Sequence, residues 1–334
     1  MKTKHTMLAI AVMALASAAG AQTPSRVVMG GKAVTMVADA VYMFPSARPR
    51  VVAIGGTDQG LGVFLETVAP GFSALPSFPR QAGVEVYASH RPDLVILKSS
   101  LKKSLGAGLE ALGIRTLYLS VETPDDYYAE LALLGRTFGD EKRAAELIGY
   151  YQNVVATAAG ASAAATKKGD KPRVLLVQAS GDGFEVPPDG WIQTTLVEMA
   201  GGQAIWKGAN PGGGWAKVGP EQIAAWNPDV LLVVSYSESA TDAAARMAAD
   251  PRFSSLKAAK TGRLHGFAQD FLSWDQPDAR WGLGLLWLTD ALHPGSMPGY
   301  TAESSARRFY ALAYGFDDAA FAAQVAPRLR GVLR

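Results

Sequence analysis

Two glutamates occupy matching positions in the two halves of the sequence, as parts of an internal repeat. Glu85 and Glu221 each stand two residues after a glycine and seven residues before a Pro-Asp pair that opens an apolar run. Proline stops a helix before such a run, which explains the Pro-Asp pair. No such reason requires the glutamate, although an acid in the first turn of a helix is favoured by the helix dipole, so a purely structural role is open.

Polar and charged residues of the first half follow short apolar runs, where the ligand-binding loops of an open α/β sheet are expected. These candidate ligand-binding residues are Thr57, Asp58, Arg80, Lys98 and Ser99. Arg80 and Lys98 offer a guanidinium and an ammonium group, which match the oxygens of an anionic ligand. The alternative is that both are solvated loop charges.

The second half supplies aromatic side chains in its predicted loops. The candidates for ligand contact are Phe184, Trp191, Trp215, Tyr236 and Trp274, followed by Asp275. Aromatic faces stack on a flat or bulky ligand with little loss of entropy. We expect about half of these rings to reach a ligand, and Trp191, which opens a helix, to pack in the core. A basic side facing an aromatic side predicts that the ligand is a bulky anionic chelate. The glycines at 212–214 offer backbone donors, so a small oxyanion remains an alternative ligand.

Composition excludes several classes of protein. The 334 residues contain no cysteine, which removes disulfide scaffolds, cysteine-ligated zinc and thiol catalysis. Lys and Arg number 32 against 30 Asp and Glu, without the basic excess of a nucleic-acid-binding protein. The hydrophobic fraction of 49% is that of a globular chain. No nucleic-acid partner is expected.

Catalytic and metal-binding patterns are weak. Residues 254–257 fit S-x-x-K and 260–262 fit K-T-G, but they adjoin in sequence, whereas penicillin-recognising enzymes take these motifs from distant segments. His90, His265 and His293 are isolated from one another, and a metal-capture site needs several convergent ligands. We therefore expect no catalytic residue, no directly bound metal and no resident cofactor, although the ligand could carry iron or another metal.

The first 21 residues have the pattern of a secretory signal peptide. Lys2 and Lys4 precede an apolar run of 12 residues at 7–18, and small residues end it at Ala21. We expect cleavage between Ala21 and Gln22. No cysteine follows to carry a lipid, so the expected product is a soluble periplasmic protein rather than a lipoprotein.

Apolar runs that alternate with helical patterns predict an α/β fold with parallel sheets. The predicted strands are 50–54, 93–97 and 116–119, then 173–177, 229–234 and 263–267. The pattern restarts after one long helix, which predicts two Rossmann-like lobes joined by that helix with a ligand cleft between them. Residues 27–37 are predicted to form a β-hairpin around Gly30 and Gly31.

The predicted boundaries follow from these elements. The N-terminal lobe is 22–139, the linking helix 140–165 and the C-terminal lobe 170–295, with a helical tail at 296–334. Because the chain passes between the lobes only once, as a stiff helix, we expect limited closure of the lobes around a ligand.

Several segments, taken in order, resemble one family. These segments are residues 126–135 and 144–147, the doubled Pro-Asp strands, Trp274-Asp275, Arg280 and 292–294. Together they are similar to the helical-backbone (class III) substrate-binding proteins of ABC importers. That family captures ferric siderophores, haem, cobalamin and, in some members, molybdate or tungstate. The likeness covers roughly residues 45–295.

The resemblance implies a role for the paired acids and for the protein. Glu85 and Glu221 would dock into arginine pockets of an inner-membrane ABC permease, and the protein would be a monomer without enzymatic activity. The expected ligand is a ferric siderophore, with cobalamin, haem, molybdate or tungstate as alternatives within the family. A periplasmic ligand sensor and an exported hydrolase are the alternatives from other classes.

Overall fold

Two sheets of five and six strands organise the chain. The computed structural model describes residues 23–332 apart from Asp58, 167–170 and 181–182. The predicted signal peptide at 1–21 and the predicted ligand residue Asp58 therefore lie outside the described residues.

The first sheet is wholly parallel and has the order β3-β2-β1-β4-β5. Its strands are β1 (Val27–Met29), β2 (Val51–Gly55), β3 (Ser77–Phe78), β4 (Leu94–Lys98) and β5 (Thr116–Leu119). The accompanying helices are α1 (Val34–Tyr42), α2 (Phe64–Val68), α3 (Val84–Ser89) and α4 (Ala107–Ala111). The predicted hairpin at 27–37 is wrong. Its second arm is α1, because Val34, Val37 and Val41 recur at helical spacing and bury one face.

The second sheet is mixed and has the order β11-β10-β6-β7-β9, with β8 paired to β6. Its strands are β6 (Arg173–Ser180), β7 (Gly183–Val186), β8 (Gln203–Ala204), β9 (Ala216–Val218), β10 (Val230–Val234) and β11 (Leu264–Gly266). The helices of this lobe are α7 (Ile192–Met199), α8 (Pro220–Trp226), α9 (Ala240–Ala249), α10 (Lys257–Lys260) and α11 (Trp281–Leu292). The expectation of a purely parallel sheet fails at β7, which turns back as a hairpin strand antiparallel to β6 and β9.

One long helix joins the lobes, which confirms the predicted fold class. Helix α5 (Pro124–Phe138) begins with the Thr123 hydroxyl accepting from the Asp126 N–H and ends at Gly139 in the left-handed conformation. Helix α6 (Glu141–Thr166) then runs for 26 residues, about 39 Å at the usual rise. It packs against α5 in one direction and α11 in the other, so it contacts both lobes.

The tail is built into the fold rather than appended to it. It contains α12 (Ala302–Tyr314) and α13 (Asp318–Gln324). The Arg143 guanidinium on α6 donates to the carbonyl of Ala313 at 2.9 Å, and the Tyr314 hydroxyl donates to the carbonyl of Asp39 on α1 at 3.1 Å. Among the described residues, no helix is both long and apolar enough to cross a membrane.

The two lobes repeat one local arrangement around their Pro-Asp strands. The Asp93 carboxylate accepts from the Arg26 N–H at 3.0 Å, and the Asp229 carboxylate accepts from the Arg173 N–H at 2.8 Å. Each arginine side chain then donates to carbonyls at the end of α3 or α8. The aspartates thus have the structural role that the sequence repeat predicts for the Pro-Asp pair.

A buried ionic cluster connects the two lobes. The fully buried Arg280 guanidinium donates to Asp39 on α1 at 2.6 Å and to two C-lobe carboxylates, Asp270 at 2.7 Å and Asp278 at 3.0 Å. Tyr310 on α12 donates to Asp270 at 2.6 Å. Burial raises the pKa of Asp39 well above its usual value, against the lowering effect of Arg280. One cation therefore holds both lobes and the tail.

We predict that Arg280→Met lowers the free energy of unfolding by about 3–5 kcal/mol, because it leaves buried carboxylates without their cation. Urea denaturation followed by circular dichroism measures the change. The control is Arg307→Met, which removes an arginine whose ion pairs with Glu303 and Asp318 lie at the surface, and it should shift the midpoint little. Equal shifts for the two variants would contradict the role given to Arg280.

Candidate functional site

The paired glutamates have the same local geometry in both lobes. Glu85 and Glu221 lie in the first turns of α3 and α8, each after an extended glycine, Gly83 or Gly219. In both cases the carboxylate folds back over that glycine, with Oε2 2.9 Å from the point where a Cβ would stand. Both side chains are exposed, and neither makes a hydrogen bond or ion pair with the residues that the structure describes. Among the described residues they are thus exposed acids without a hydrogen-bonded partner, and Glu221 acts on Arg252 only through its charge.

Lys98 is not an unpaired base. It ends β4, is 7% exposed, and its Nζ lies 2.8 Å from the Glu122 carboxylate while donating to the Ser120 carbonyl. The Glu130 carboxylate accepts from the backbone N–H groups of Ser120 and Val121 close by. The ammonium that the sequence offered to an anionic ligand is thus occupied by an acid of its own lobe.

Arg80 lies apart from Lys98 because of the order of the strands. Arg80 follows β3 at one edge of the first sheet, and Lys98 ends β4, three strands away. At the usual strand spacing that separation is about 14 Å. The two bases predicted to act together on one anion are therefore separated, and the residue beside Lys98 is Glu122, which follows β5.

Three half-buried aromatic rings form a wall on the second lobe. The Trp191 and Trp215 rings meet edge to face with centroids 5.9 Å apart, and the Trp215 and Tyr236 rings are 6.0 Å apart. Tyr236 follows the carboxyl end of β10, where α/β sheets bind ligands. Trp191, expected in the core, thus belongs to this wall.

Hydrogen bonds beneath the wall fix the Tyr236 ring. Its hydroxyl donates to the buried Asp275 carboxylate at 2.7 Å, and the Gln193 amide also donates to Asp275 at 3.2 Å. Burial raises the pKa of Asp275. Burial, the Asp275 carboxylate and, from the other lobe, Glu122 raise the pKa of Tyr236 well above its usual value. Asp275 therefore orients a wall residue instead of facing a ligand itself.

Two predicted aromatic contacts lie elsewhere. Trp274 is 0% exposed and its indole N–H donates to Asp270 at 3.0 Å, so the prediction that it faces the cleft is wrong. The sequence did not indicate that Trp274 is buried, because its partner Asp270 is a charged residue that is ordinarily exposed. Phe184 on β7 is half-buried and packs edge to face on the buried Phe253 at 5.3 Å, so part of its surface is committed to the lobe core.

The lobes meet at a loop that bridges the space between them. The Gly60 N–H donates to the Tyr236 carbonyl at 3.3 Å, and the Leu61 N–H donates to the Phe271 carbonyl at 2.7 Å. A cavity of about 270 Å³ lies behind this loop, lined by the exposed Thr57 among others from the first lobe and by Phe271 from the second. A larger groove of about 880 Å³ along α6 and α12 shares no lining residue with this cavity.

The remaining predicted residue and two missed ones complete the site. Ser99 is half-buried in the turn that follows β4, next to Lys98. Glu122 and Gln193 are missed by the sequence analysis. Glu122 follows a predicted strand, the position used to select Lys98, so this signal was present in the sequence. Gln193 lies inside α7, and only the fold brings it to Asp275.

The fold and these strand ends define the class: a two-lobed α/β binding protein whose lobes are bridged by one helix. The family model described as periplasmic binding protein matches residues 77–269, more than half of the sequence. The chain belongs to this family.

The relatives and solved structures agree with this class. A cobalamin-binding protein of Halobacterium salinarum is 28% identical over 211 residues, which is 61% of this chain and 56%, about half, of that protein. A periplasmic solute-binding protein of Veillonella parvula superposes with a TM-score of 0.71 at 21% identity over 90% of this chain and 92% of that chain. A periplasmic heme-binding protein of Pseudomonas aeruginosa gives 0.62 at 23% identity over 81% and 94%.

We predict that acrylamide quenches the tryptophan fluorescence of three of the seven tryptophans, because Trp191, Trp215 and Trp226 are half-buried while the other four are buried. Trp215→Phe should remove about a third of the quenchable emission, and the control Trp274→Phe should remove none of it. A loss of quenchable emission in the Trp274 variant would show that this ring is exposed, in contradiction to its burial in the structure.

Proposed function

We propose that the protein is the periplasmic solute-binding component of an ABC importer, which captures a bulky metal chelate between its lobes and delivers it to a membrane permease. The observation that carries the proposal is the aromatic wall of Trp191, Trp215 and Tyr236 on one lobe, facing the strand ends of the other. Rings of this kind stack on a flat or bulky chelate at low cost in conformational entropy.

The paired acids support delivery to a membrane partner. Glu85 and Glu221 carry one exposed carboxylate per lobe in identical local settings. Because the lobes are bridged by α6 and held by Arg280, the separation of the two carboxylates is set by the fold. Two fixed charges select one docking orientation and steer the encounter with a basic surface.

The ligand candidates make different demands on the site. A ferric siderophore, the ligand expected from the sequence, would use Arg80 together with the aromatic wall. Cobalamin and haem would use the wall as a stacking surface, and the name of the Halobacterium relative favours cobalamin. Molybdate or tungstate would need converging backbone donors, for which the exposed glycines at 212–214 are the candidates.

Two functions from other classes make separate demands. A periplasmic sensor would bind the same ligands but would not need both Glu85 and Glu221 for import. An exported hydrolase would convert its ligand, which a product assay on the bound complex detects.

We predict that a thermal-shift screen of the chain from Gln22 onward gives a raised midpoint with a metal chelate. Ligand at 100 times its dissociation constant stabilises the folded state by about 2.7 kcal/mol. The screen contains ferric siderophores, cobalamin, haemin and molybdate. Trp215→Ala should reduce the shift, while Trp226→Ala, which changes a half-buried tryptophan on α8 outside the wall, is the matched control. A shift with molybdate alone would contradict capture of a bulky chelate.

We predict that Glu85→Ala combined with Glu221→Ala abolishes ligand uptake by cells and leaves ligand affinity unchanged, because both carboxylates are exposed and fold back over Gly83 and Gly219 rather than contacting the aromatic wall. The control is Glu141→Ala with Glu146→Ala, which removes the same charge from exposed positions of α6. Loss of affinity in the first double variant, or loss of uptake in the control, would overturn the docking role.

A further inference from the structure

The floor of the cleft on the first lobe carries more acid than base. Lys98 is held by Glu122 at 2.8 Å, and Glu130 lies close enough to interact with the same ammonium group. Across the lobes, the Asp275 carboxylate lies beneath Tyr236. On the first lobe a single ammonium group is thus accompanied by two acids, Glu122 and Glu130.

Strand order fixes this arrangement. β4 and β5 are neighbours, with Lys98 paired to Leu119 in the sheet register, so the residues that follow β5 lie beside Lys98. The other basic candidate, Arg80, follows β3 at the opposite edge, about 14 Å away at the usual strand spacing. Lys98, rather than Arg80, is therefore the base whose strand lies next to the segment that carries Glu122.

The Glu122 carboxylate also faces the second lobe. Its charge acts on the Tyr236 phenol, which belongs to the aromatic wall. One oxygen contacts Lys98, whereas Oε2 accepts no hydrogen bond from any residue that the structure describes. Oε2 is itself buried, while the Glu122 side chain as a whole is 24% exposed. An oxygen in this state disfavours a nearby anion and suits a hydrogen-bond donor or a cation.

We propose that Glu122 determines the charge class of the ligand, so that the cleft takes an uncharged or cationic metal chelate bearing N–H donors and rejects an anionic one. The proposal rests on the proposed function, since it specifies the ligand of the same cleft. It also reverses the anionic chelate expected from the sequence, because the base that suggested an anion is neutralised by an acid that the sequence analysis did not select.

The test measures binding of three probes by isothermal titration calorimetry. The probes are cyanocobalamin, which is uncharged, aquocobalamin, which is cationic, and a polyanionic ferric tricatecholate. The wild-type protein should bind the two cobalamins at least tenfold more tightly than the tricatecholate. Glu122→Gln removes the acid and releases Lys98. It should therefore reduce the ratio of cobalamin affinity to tricatecholate affinity by about tenfold. The control Glu141→Gln removes the same charge at an exposed position of α6 and should leave the preference unchanged.

A second variant tests whether the change in ligand preference comes from the charge of Glu122 or from the altered shape of the site. Lys98→Met combined with Glu122→Gln removes both charges, so the tricatecholate should not gain the affinity that it gains in Glu122→Gln alone. Circular dichroism establishes that each variant is folded. If Glu122→Gln fails to fold, Lys98→Met alone decides, because it leaves the Glu122 charge unopposed. The preference for the cobalamins over the tricatecholate should then widen, and an unchanged preference in this variant overturns the proposal.

The outcomes distinguish this inference from the proposed function. Tightest wild-type binding of the tricatecholate, or a preference that does not move in Glu122→Gln, overturns the charge assignment and leaves capture of a chelate intact. Failure of all three probes, together with failure of haemin and other ferric siderophores, overturns the proposed function and this inference with it.

Discussion

The geometry of the whole protein depends on one buried guanidinium. Arg280 neutralises carboxylates that come from both lobes, Asp39 from the first and Asp270 and Asp278 from the second. Buried charges are stable only when they are paired, so the lobes cannot separate at this point without exposing or stranding charge. The Tyr310 hydroxyl and the Phe64 ring complete the contacts around the guanidinium. The cluster is therefore a second connection between the lobes, in addition to α6.

A fixed frame of this kind leaves the adjustable parts of the site to loops. The segment that bridges the lobes contains Gly60 and Gly62 at φ of 99° and 122°, values that only glycine adopts without strain. Two backbone hydrogen bonds hold it to the second lobe, and backbone bonds of this strength are exchanged readily for bonds to water or ligand. The cavity of about 270 Å³ behind this loop is small for a bulky chelate. None of its lining residues belongs to the aromatic wall or to the Lys98–Glu122 pair, so it is not the space in which the chelate is proposed to bind.

The sequence was informative wherever a pattern has one structural solution. The repeated Pro-Asp strands and the long apolar-faced helix predict two lobes and a bridge, and the structure has both. The hairpin at 27–37 failed because Val34 and Val37 fit both a strand and a helix over so short a span, and only packing against the sheet decides. Lys98 and Trp274 were misjudged for a different reason. Glu122 follows a predicted strand, but its pairing with Lys98, like that of Asp270 with Trp274, becomes visible only once strand order and burial are known.

The neutralised lysine bears on how a carrier binds and releases its cargo. A chelate held by an arginine fork and a free ammonium would gain strong, charge-assisted hydrogen bonds, and the permease would have to replace all of them. Under the proposed function the ammonium is already satisfied by Glu122, and stacking of a chelate on the wall of Trp191, Trp215 and Tyr236 would contribute about 0.5–1.5 kcal/mol per ring beyond the buried area. Affinity is then a sum of modest contacts made on a preformed frame, in which little entropy is lost on binding. Such contacts can be lost one at a time as the ligand moves toward a docked partner, so tight capture and release do not oppose each other.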